Sequence, residues 1–245
     1  RKICRAMTEW LLPIKLSGDL MVSIFNFIRQ GQYLLVIISR RSRCFVVFCC
    51  LPIHEYAHCL AAHLLGDDTA KNQGRLTLNP IAHLNPIGTV MIFLFGIGYG
   101  NPAPINPNNF KKPKQGMALT ALAGPCANLI LSFISIWGFY IVRNFAGTSA
   151  AGSAVSYFFL FAAQINTMLA VFNLLPVPPL DGSRVLGGIL PDKALYKYMR
   201  YERYIMIGLM VLLFTGILDT PIAFLTNKLM SLIAFLPHLV FGSTA

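Results

Sequence analysis

One short stretch of the chain, His54-Glu55-Tyr56-Ala57-His58, combines residue types that can bind a metal ion and activate water. On a helix, His54 and His58 are four residues apart and share a face, so both imidazoles can reach one metal ion. Glu55 lies beside that face, where it can accept a proton from water. Since zinc lowers the pKa of bound water towards 7, the pattern predicts metal-assisted hydrolysis with Glu55 as the base.

The apolar surroundings of these residues argue against a chance pattern. They lie inside an apolar run, residues 44–65, that is long enough to cross a bilayer. In a soluble helix, two surface histidines and a solvated glutamate are the simpler interpretation. Within lipid a bare carboxylate is costly, so an ionisable residue at that depth indicates function.

A second motif, Asn173-Leu-Leu-Pro-Val-Pro-Pro-Leu-Asp181-Gly182, offers a third ligand. Its prolines break the helix that reaches Leu175. Irregular backbone at membrane depth is tolerated where it lines protein or a water-filled cavity. Asp181 ends this broken stretch and is the natural ligand to complete a site, while a helix-capping aspartate at the membrane interface is the alternative.

The chain as a whole has the composition of a membrane protein. Of its 245 residues, 56% are hydrophobic and 12% are charged, whereas a soluble domain carries about 25% charged residues. The net charge of +11 comes from cations in clusters beside apolar segments, at residues 40–43, 111–114 and 184–203. This placement follows the positive-inside bias of membrane loops and excludes nucleic acid as a partner.

The apolar segments predict an all-α polytopic membrane protein with five to six transmembrane helices. Besides residues 44–65, the clear segments are 117–142, 155–175, 204–218 and 222–239. Residues 87–99 cover only about 20 Å as a helix, so a tilted crossing and a re-entrant element both remain open. If they cross, the basic clusters fall on one side and both termini are cytoplasmic.

Three parts of the chain are expected. Residues 1–43 form an N-terminal interfacial, partly apolar segment, residues 44–190 form the core, and residues 191–245 form a basic loop with C-terminal transmembrane helices. Alternation and turn residues in 69–85 predict a short β-hairpin-like element after the first catalytic helix. The six cysteines lie mostly in apolar segments, which predicts buried thiols rather than disulfides.

Taken together, the two motifs resemble the site-2 protease family of intramembrane zinc metalloproteases. The similarity runs across residues 52–188 and is to the small bacterial subgroup that lacks a PDZ domain. The resemblance implies Zn²⁺ held by His54, His58 and Asp181, with Glu55 as the catalytic base. It also implies regulated cleavage of transmembrane substrate proteins by a multi-pass protein of a bacterial cell membrane.

The resemblance implies two further polar residues at the site. Asn173 would bind substrate or the developing oxyanion, a role that suits an amide donor. The stretch Gly124-Pro-Cys-Ala-Asn128 is similar to a Gly-x-x-x-Asn motif of the family, which makes Asn128 a candidate substrate-binding residue. Plain helix packing by small residues is an equally open interpretation of that stretch.

Two other functions fit the sequence less well than hydrolysis. A metal transporter needs several carboxylates or paired half-helices along a path, whereas this sequence has one compact candidate site. A catalytically inactive relative that acts as a membrane binding partner has no physical need for the base, Glu55.

Overall fold

The computed structural model describes residues 33–85, 100–146 and 149–242, and every regular element within these ranges is helical. The helices are α1 (Tyr33–Phe45), α2 (Leu51–Leu64), α3 (Thr69–Asn72), α4 (Pro80–His83), α5 (Pro113–Ala146), α6 (Ala150–Asn173), α7 (Asp181–Ile189), α8 (Asp192–Arg200), α9 (Glu202–Phe214), α10 (Asp219–Ile233) and α11 (Phe235–Phe241). A π-helical turn, Val46–Cys50, joins α1 to α2. The predicted all-α class is confirmed.

Two of the described helices, α5 and α6, are long and apolar enough to cross a membrane. Helices α10 and α11 meet at a bend of 41° and make a third span if the pair counts as one. The predicted segments 117–142 and 155–175 therefore lie in helices of spanning length. The predicted segment 87–99 and most of the N-terminal segment 1–43 lie outside the described residues.

The region after α2 corrects the predicted β-hairpin, because the described residues there form α3 and α4 and no strand. The side chain of Asn79 accepts a hydrogen bond from the Ile81 amide at 3.1 Å and caps α4. Pro80, which has no amide donor, occupies the first helical position. Nε2 of His83 donates to the Thr77 carbonyl at 2.7 Å. These local bonds use backbone groups that a β-ladder needs.

Hydrogen bonds join the loop after α2 to the loop before α5. The Asp67 carboxylate, just after α2, accepts hydrogen bonds at 2.7 Å from the Asn106 amide and the Asn109 side chain, which lie just before α5. Groups in such contact cannot lie on opposite sides of a hydrocarbon core about 30 Å thick. The loop after α2 and the loop before α5 therefore lie side by side, whereas the number of crossings in the chain stays a prediction.

Helix α5 is the platform on which the site is assembled. It packs most extensively on α6 and also contacts α2 and α7. Small and polar residues recur every four positions on one buried face of α5, at Gly116, Thr120, Gly124, Asn128 and Ser132. Small residues let helix backbones approach closely in a membrane, so this face can receive two neighbouring helices.

Candidate metal centre

Two histidines of α2 meet at the centre of the molecule. His54 and His58 lie one turn apart and are buried, with exposed fractions of 4% and 5%. Their Nε2 atoms are 3.1 Å apart and their rings are nearly perpendicular, at 86°. The shared face predicted from the four-residue spacing is present.

Asp181, the first residue of α7, completes a triangle of ligand atoms. Its Oδ2 atom lies 3.3 Å from Nε2 of His54 and 3.3 Å from Nε2 of His58. Tetrahedral zinc with bonds of about 2.0–2.1 Å holds neighbouring ligand atoms about 3.3 Å apart. The triangle therefore has the size of a zinc site, and no second group of this kind occurs in the described part of the chain.

The hydrogen bond made by the His58 ring also supports a metal site here. Its Nδ1 donates a hydrogen bond to the backbone carbonyl of Thr120 on α5 at 2.7 Å. Such a bond fixes the tautomer and leaves the lone pair on Nε2, as in metal-binding histidines. Oδ2 of Asp181 is buried and accepts no hydrogen bond within the described residues. Converging lone pairs of this kind fit a bound cation.

Gly124 lets α5 pass directly behind the two histidines. A Cβ atom at this position would lie 2.3 Å from Nε2 of His58 and 2.6 Å from Cε1 of His54. No real Cβ atom makes such contacts, so any side chain here would displace the ligands. The Gly-x-x-x-Asn stretch thus has a packing role that acts directly on the metal centre.

Two glycines on α7 bring Asp181 into place. A Cβ atom on Gly182 would lie 2.3 Å from the carbonyl oxygen of Leu174, so the chain turns tightly before α7. At the other end of α7, a Cβ atom on Gly188 would lie 2.5 Å from Cβ of Ala118 on α5. Close packing at both ends therefore fixes α7 against α5, with Asp181 facing the histidines.

Glu55, the candidate base on α2, is restrained by a contact with a loop. It is half-buried, and its Oε2 atom accepts a hydrogen bond from the backbone amide of Ala103 at 3.2 Å. Its Oε1 atom accepts no hydrogen bond within the described residues and is available to receive a proton. Glu55 thus has one oxygen restrained by a hydrogen bond and one oxygen without such a bond, beside the candidate metal ligands.

Asp67 anchors the loop that carries Ala103. Its fully buried carboxylate accepts hydrogen bonds from the Thr69 amide at 3.1 Å and from Asn106 and Asn109, each at 2.7 Å. Burial raises the pKa of Asp67, but these hydrogen bonds outweigh burial and hold the pKa below its usual range. The ionised carboxylate therefore ties the loop to the end of α2.

The two predicted amide residues occupy different places. Asn128 lies one turn beyond Gly124 on the same face of α5, is 1% exposed, and finds no hydrogen-bond partner for either side-chain amide atom among the described residues. Asn173 is the last residue of α6 and is half-buried, and its side chain makes no hydrogen bond within the described ranges. The structure thus places Asn128 on the helix face that contacts the histidines, and Asn173 at a helix end eight residues before Asp181.

The other three histidines, His63, His83 and His238, make contacts away from this centre. Nδ1 of His63 contacts Oδ1 of Asp68 at the surface. His83 is buried, and its Nε2 atom donates a hydrogen bond to the backbone carbonyl of Thr77. Nδ1 of His238 lies 3.5 Å from the hydroxyl of Tyr140.

Several residues that shape the centre were not found from the sequence. Thr120 acts through its carbonyl and Ala103 through its amide, so neither side chain could indicate a role. Asp67 lies in the stretch Gly66-Asp-Asp-Thr-Ala, to which the sequence pattern assigns no role of its own. An aspartate followed two positions later by Thr69 is typical of a side-chain-capped turn, and this signal could have indicated Asp67.

A comparison with protein families assigns the chain to a family of metallopeptidases, in agreement with the metal centre. Residues 43–216, most of the chain, match Peptidase family M50, and the chain therefore belongs to this family. The family consists of membrane proteins, and the His-His-Asp group is placed to bind zinc. The chain is an intramembrane zinc metalloprotease, as the resemblance to site-2 proteases predicted.

Individual relatives come from bacteria and archaea. YwhC of Bacillus subtilis is 42% identical over 165 residues, which cover 66% of this chain and 75% of YwhC. Rip2 of Mycolicibacterium smegmatis is 32% identical over 137 residues, or 54% of this chain and 51% of Rip2. MJ0392 of Methanocaldococcus jannaschii is 33% identical over 90 residues, or 37% of this chain and 24% of MJ0392. All three carry zinc metalloprotease names, and no solved structure matches the chain significantly.

Proposed function

We propose that this chain hydrolyses peptide bonds of transmembrane substrate proteins, with His54, His58 and Asp181 as the zinc ligands and Glu55 as the general base. The observation that carries the proposal is the triangle of two imidazole nitrogens and one carboxylate oxygen, with sides of 3.1–3.3 Å. Zinc in this triangle would act as a Lewis acid and lower the pKa of a water molecule.

The residues around the zinc ligands perform the remaining steps. Glu55 removes a proton from the attacking water through its unrestrained Oε1 atom, while Ala103 keeps the other oxygen in place. The carbonyl of Thr120 holds His58 in the tautomer that binds metal. A helical substrate must unwind locally before it reaches these groups, because its carbonyls are otherwise hydrogen-bonded within the helix.

Asn128 is the better supported of the two amide residues as a substrate-binding group. A buried amide with no partner costs about 1–3 kcal/mol of stability, so a partner supplied by the substrate gives a reason for its presence. Asn173, at the end of α6, is proposed to contact substrate near the proline-rich turn that leads to Asp181.

The proposed role of Asn128 can be separated from plain packing by an Asn128→Leu variant. Replacing two unpaired polar atoms by an apolar group of similar size is expected to maintain or raise the free energy of unfolding. Loss of a substrate hydrogen bond is expected to lower kcat/KM by about tenfold or more. A stable variant that cleaves at the wild-type rate would leave Asn128 with a packing role only.

We further propose a multi-pass protein of a bacterial cell membrane with five crossings, and residues 44–190 as its catalytic core. The crossings are the α1–α2 run, α5, α6, α9 and the α10–α11 pair. The basic clusters 111–114 and 184–203 then share the cytoplasmic face. Because an odd number of crossings separates the two ends of this array, the end of α11 is cytoplasmic and the start of α1 is not. Single cysteines at Asp68 and Lys112 are expected to be labelled from the same side.

The test of the function pairs zinc content with cleavage of a panel of membrane-spanning peptides. We expect about one zinc per wild-type chain. A Glu55→Gln variant should retain zinc but lose cleavage by about 10²–10⁴-fold. The exposed Glu202→Gln variant serves as the matched control and should retain both.

Each contrary result has a distinct meaning. Wild-type protein without zinc, under conditions that preserve the fold, would overturn the ligand assignment. Zinc-loaded wild-type protein that cleaves no peptide in the panel would favour the inactive relative that acts as a binding partner. Cleavage at the wild-type rate by Glu55→Gln would remove Glu55 as the base.

A further inference from the structure

Helix α8 carries a cationic face on the outside of the molecule. Lys193, Lys197 and Arg200 are spaced by four and three residues, so they lie on one face of the helix. All three are exposed. The nearby Asp192 is paired with Lys114 of α5 and does not neutralise this face.

Apolar side chains border the cationic face and are also exposed. Tyr196 is 73% exposed and Met199 is 59% exposed. Leu195 and Tyr198, by contrast, are half-buried and face the protein. A short helix with adjacent cationic and apolar exposed faces is typical of a helix that lies in the headgroup region of a membrane.

The contacts of α8 place it at the level of the headgroups. Lys114, in the first turn of α5, donates to the Leu190 carbonyl at 3.1 Å, just before α8. The hydroxyl of Tyr198 donates to the carbonyl of Pro176 at 3.1 Å, just after the end of α6. Because both spanning helices end at this face, α8 lies where the hydrocarbon core gives way to headgroups.

The next helix, α9, also exposes apolar side chains. Helix α9 begins two residues after α8, and its large apolar side chains are exposed, including those of Ile207, Met210 and Val211. An apolar surface of this kind faces acyl chains in a membrane protein. The apolar face of α8 therefore joins a lipid-facing surface, with the cations at its upper edge.

We propose that the cationic face of α8 binds anionic lipid headgroups of the membrane in which the protein lies. Each Lys or Arg near an anionic surface favours binding by about fivefold, so the three cations select anionic over zwitterionic lipid. An acidic segment of another protein would also attract the three cations, but it does not account for the exposed Tyr196 and Met199 beside them.

This contact also braces the segment that carries Asp181. On one side of Asp181, Tyr198 is bonded to Pro176. On the other side, the Leu195 side chain lies 3.3 Å from the position of a Cβ atom on Gly187 in α7. Lipid bound to α8 therefore restrains both flanks of a zinc ligand, and anionic lipid is expected to support cleavage. The proposal thus has two halves. The binding half, in which α8 binds anionic lipid, does not depend on the proposed function. The bracing half, in which bound lipid restrains Asp181, rests on it.

Fluorescence quenching tests the binding half on the full chain in vesicles. A Tyr196→Trp variant is compared with the parent chain, which contains Trp10 and Trp137, in phosphatidylcholine vesicles with a minor fraction of phosphatidylglycerol. Brominated phosphatidylglycerol is expected to quench the added tryptophan at least about threefold more than the same fraction of brominated phosphatidylcholine. Equal quenching by the two lipids would overturn the proposal.

Charge variants test the same point with a matched control. Lys193→Gln combined with Lys197→Gln is expected to abolish the preference for brominated phosphatidylglycerol. Lys71→Gln combined with Lys111→Gln removes two exposed cations elsewhere on the same membrane face and should leave it intact. If both pairs reduce the preference equally, overall charge and not α8 selects the lipid. An added tryptophan that no brominated lipid quenches would assign α8 to a protein partner instead.

Cleavage rates test the bracing half. Wild-type protein is expected to cleave a membrane-spanning peptide several-fold faster with phosphatidylglycerol present than without it. Tyr198→Phe, which removes the bond to Pro176, should keep the quenching preference and lose most of this rate difference. A quenching preference without any lipid effect on the rate would overturn the bracing half alone. If neither lipid condition supports cleavage while the zinc content is normal, the proposed function fails and the binding result still stands.

Discussion

The ligand side and the base side of the metal centre are built in different ways. On the ligand side, His54, His58 and Asp181 project from helices α2 and α7, which both pack on α5. On the base side, Glu55 is restrained by one backbone amide from a loop that Asp67 anchors. Helix packing thus positions the proposed metal ligands, while a short chain of hydrogen bonds positions the proposed base. Disruption of the ligand side should therefore affect zinc binding, and disruption of the base side should affect turnover alone.

The largest effect is expected from removal of a ligand. Asp181→Ala takes away one of three ligand atoms and should lower zinc content well below one per chain. The Lewis-acid contribution of several kcal/mol is then lost, so cleavage should fall by at least about 10³-fold. Metal analysis and peptide cleavage on the same preparation test this, and full zinc occupancy in the variant would remove Asp181 from the ligand set.

A smaller effect on the ligand side is expected from Gly124→Ala. The added methyl group would collide with His58 and His54, so the zinc affinity should fall by about 10–100-fold, as for other changes beside metal ligands. Gly208→Ala on α9 is the matched control, since a Cβ atom there meets nothing within 4 Å. Competition with a chelator measures both affinities. Equal affinities would show that α5 does not constrain the histidines.

On the base side, Asp67→Asn should separate turnover from metal binding. An amide in place of the carboxylate sets its NH2 group against the donor of either Asn106 or Asn109, which bond different oxygens of Asp67. One of the two hydrogen bonds is lost, so the loop that carries Ala103 shifts. Misplacement of Glu55 should lower kcat by about tenfold, with zinc content unchanged. The exposed neighbour provides a control, Asp68→Asn, which should cleave at the wild-type rate. Loss of zinc in Asp67→Asn would mean that the two sides are not independent.

The smallest effect concerns stability and its dependence on pH. Because the pKa of Asp67 is lowered in the folded state, its stabilising effect is present above the unfolded pKa of about 3.9. It is lost as the pH falls through the lower folded pKa. Asp67→Asn should therefore lower the free energy of unfolding by about 1–3 kcal/mol at neutral pH. That deficit should shrink below about pH 4, which denaturation in detergent at several pH values can measure. A deficit that is constant with pH would contradict an ionised Asp67.

Much of the centre could be predicted because its chemistry is local in the sequence. Four-residue spacing places His54 and His58 on one face of any helix, and the apolar run around them makes a solvated surface site implausible. The prolines before Asp181 mark a break in a membrane helix. The all-helical class follows from the long apolar segments, whereas the β-hairpin was wrong because Asn79, Pro80 and His83 favour capped turns over a ladder.

What the sequence by itself determined is the set of groups proposed to bind zinc and activate water, since residue type and helical period decide which side chains can share a face. Only the tertiary structure decided how those groups are held. The carbonyl of Thr120 and the amide of Ala103 belong to the backbone, which every residue type shares, so no sequence pattern distinguishes them. The contacts of Gly124 and Asp67 join elements that are distant in the sequence, and their partners are known only when helices and loops have packed.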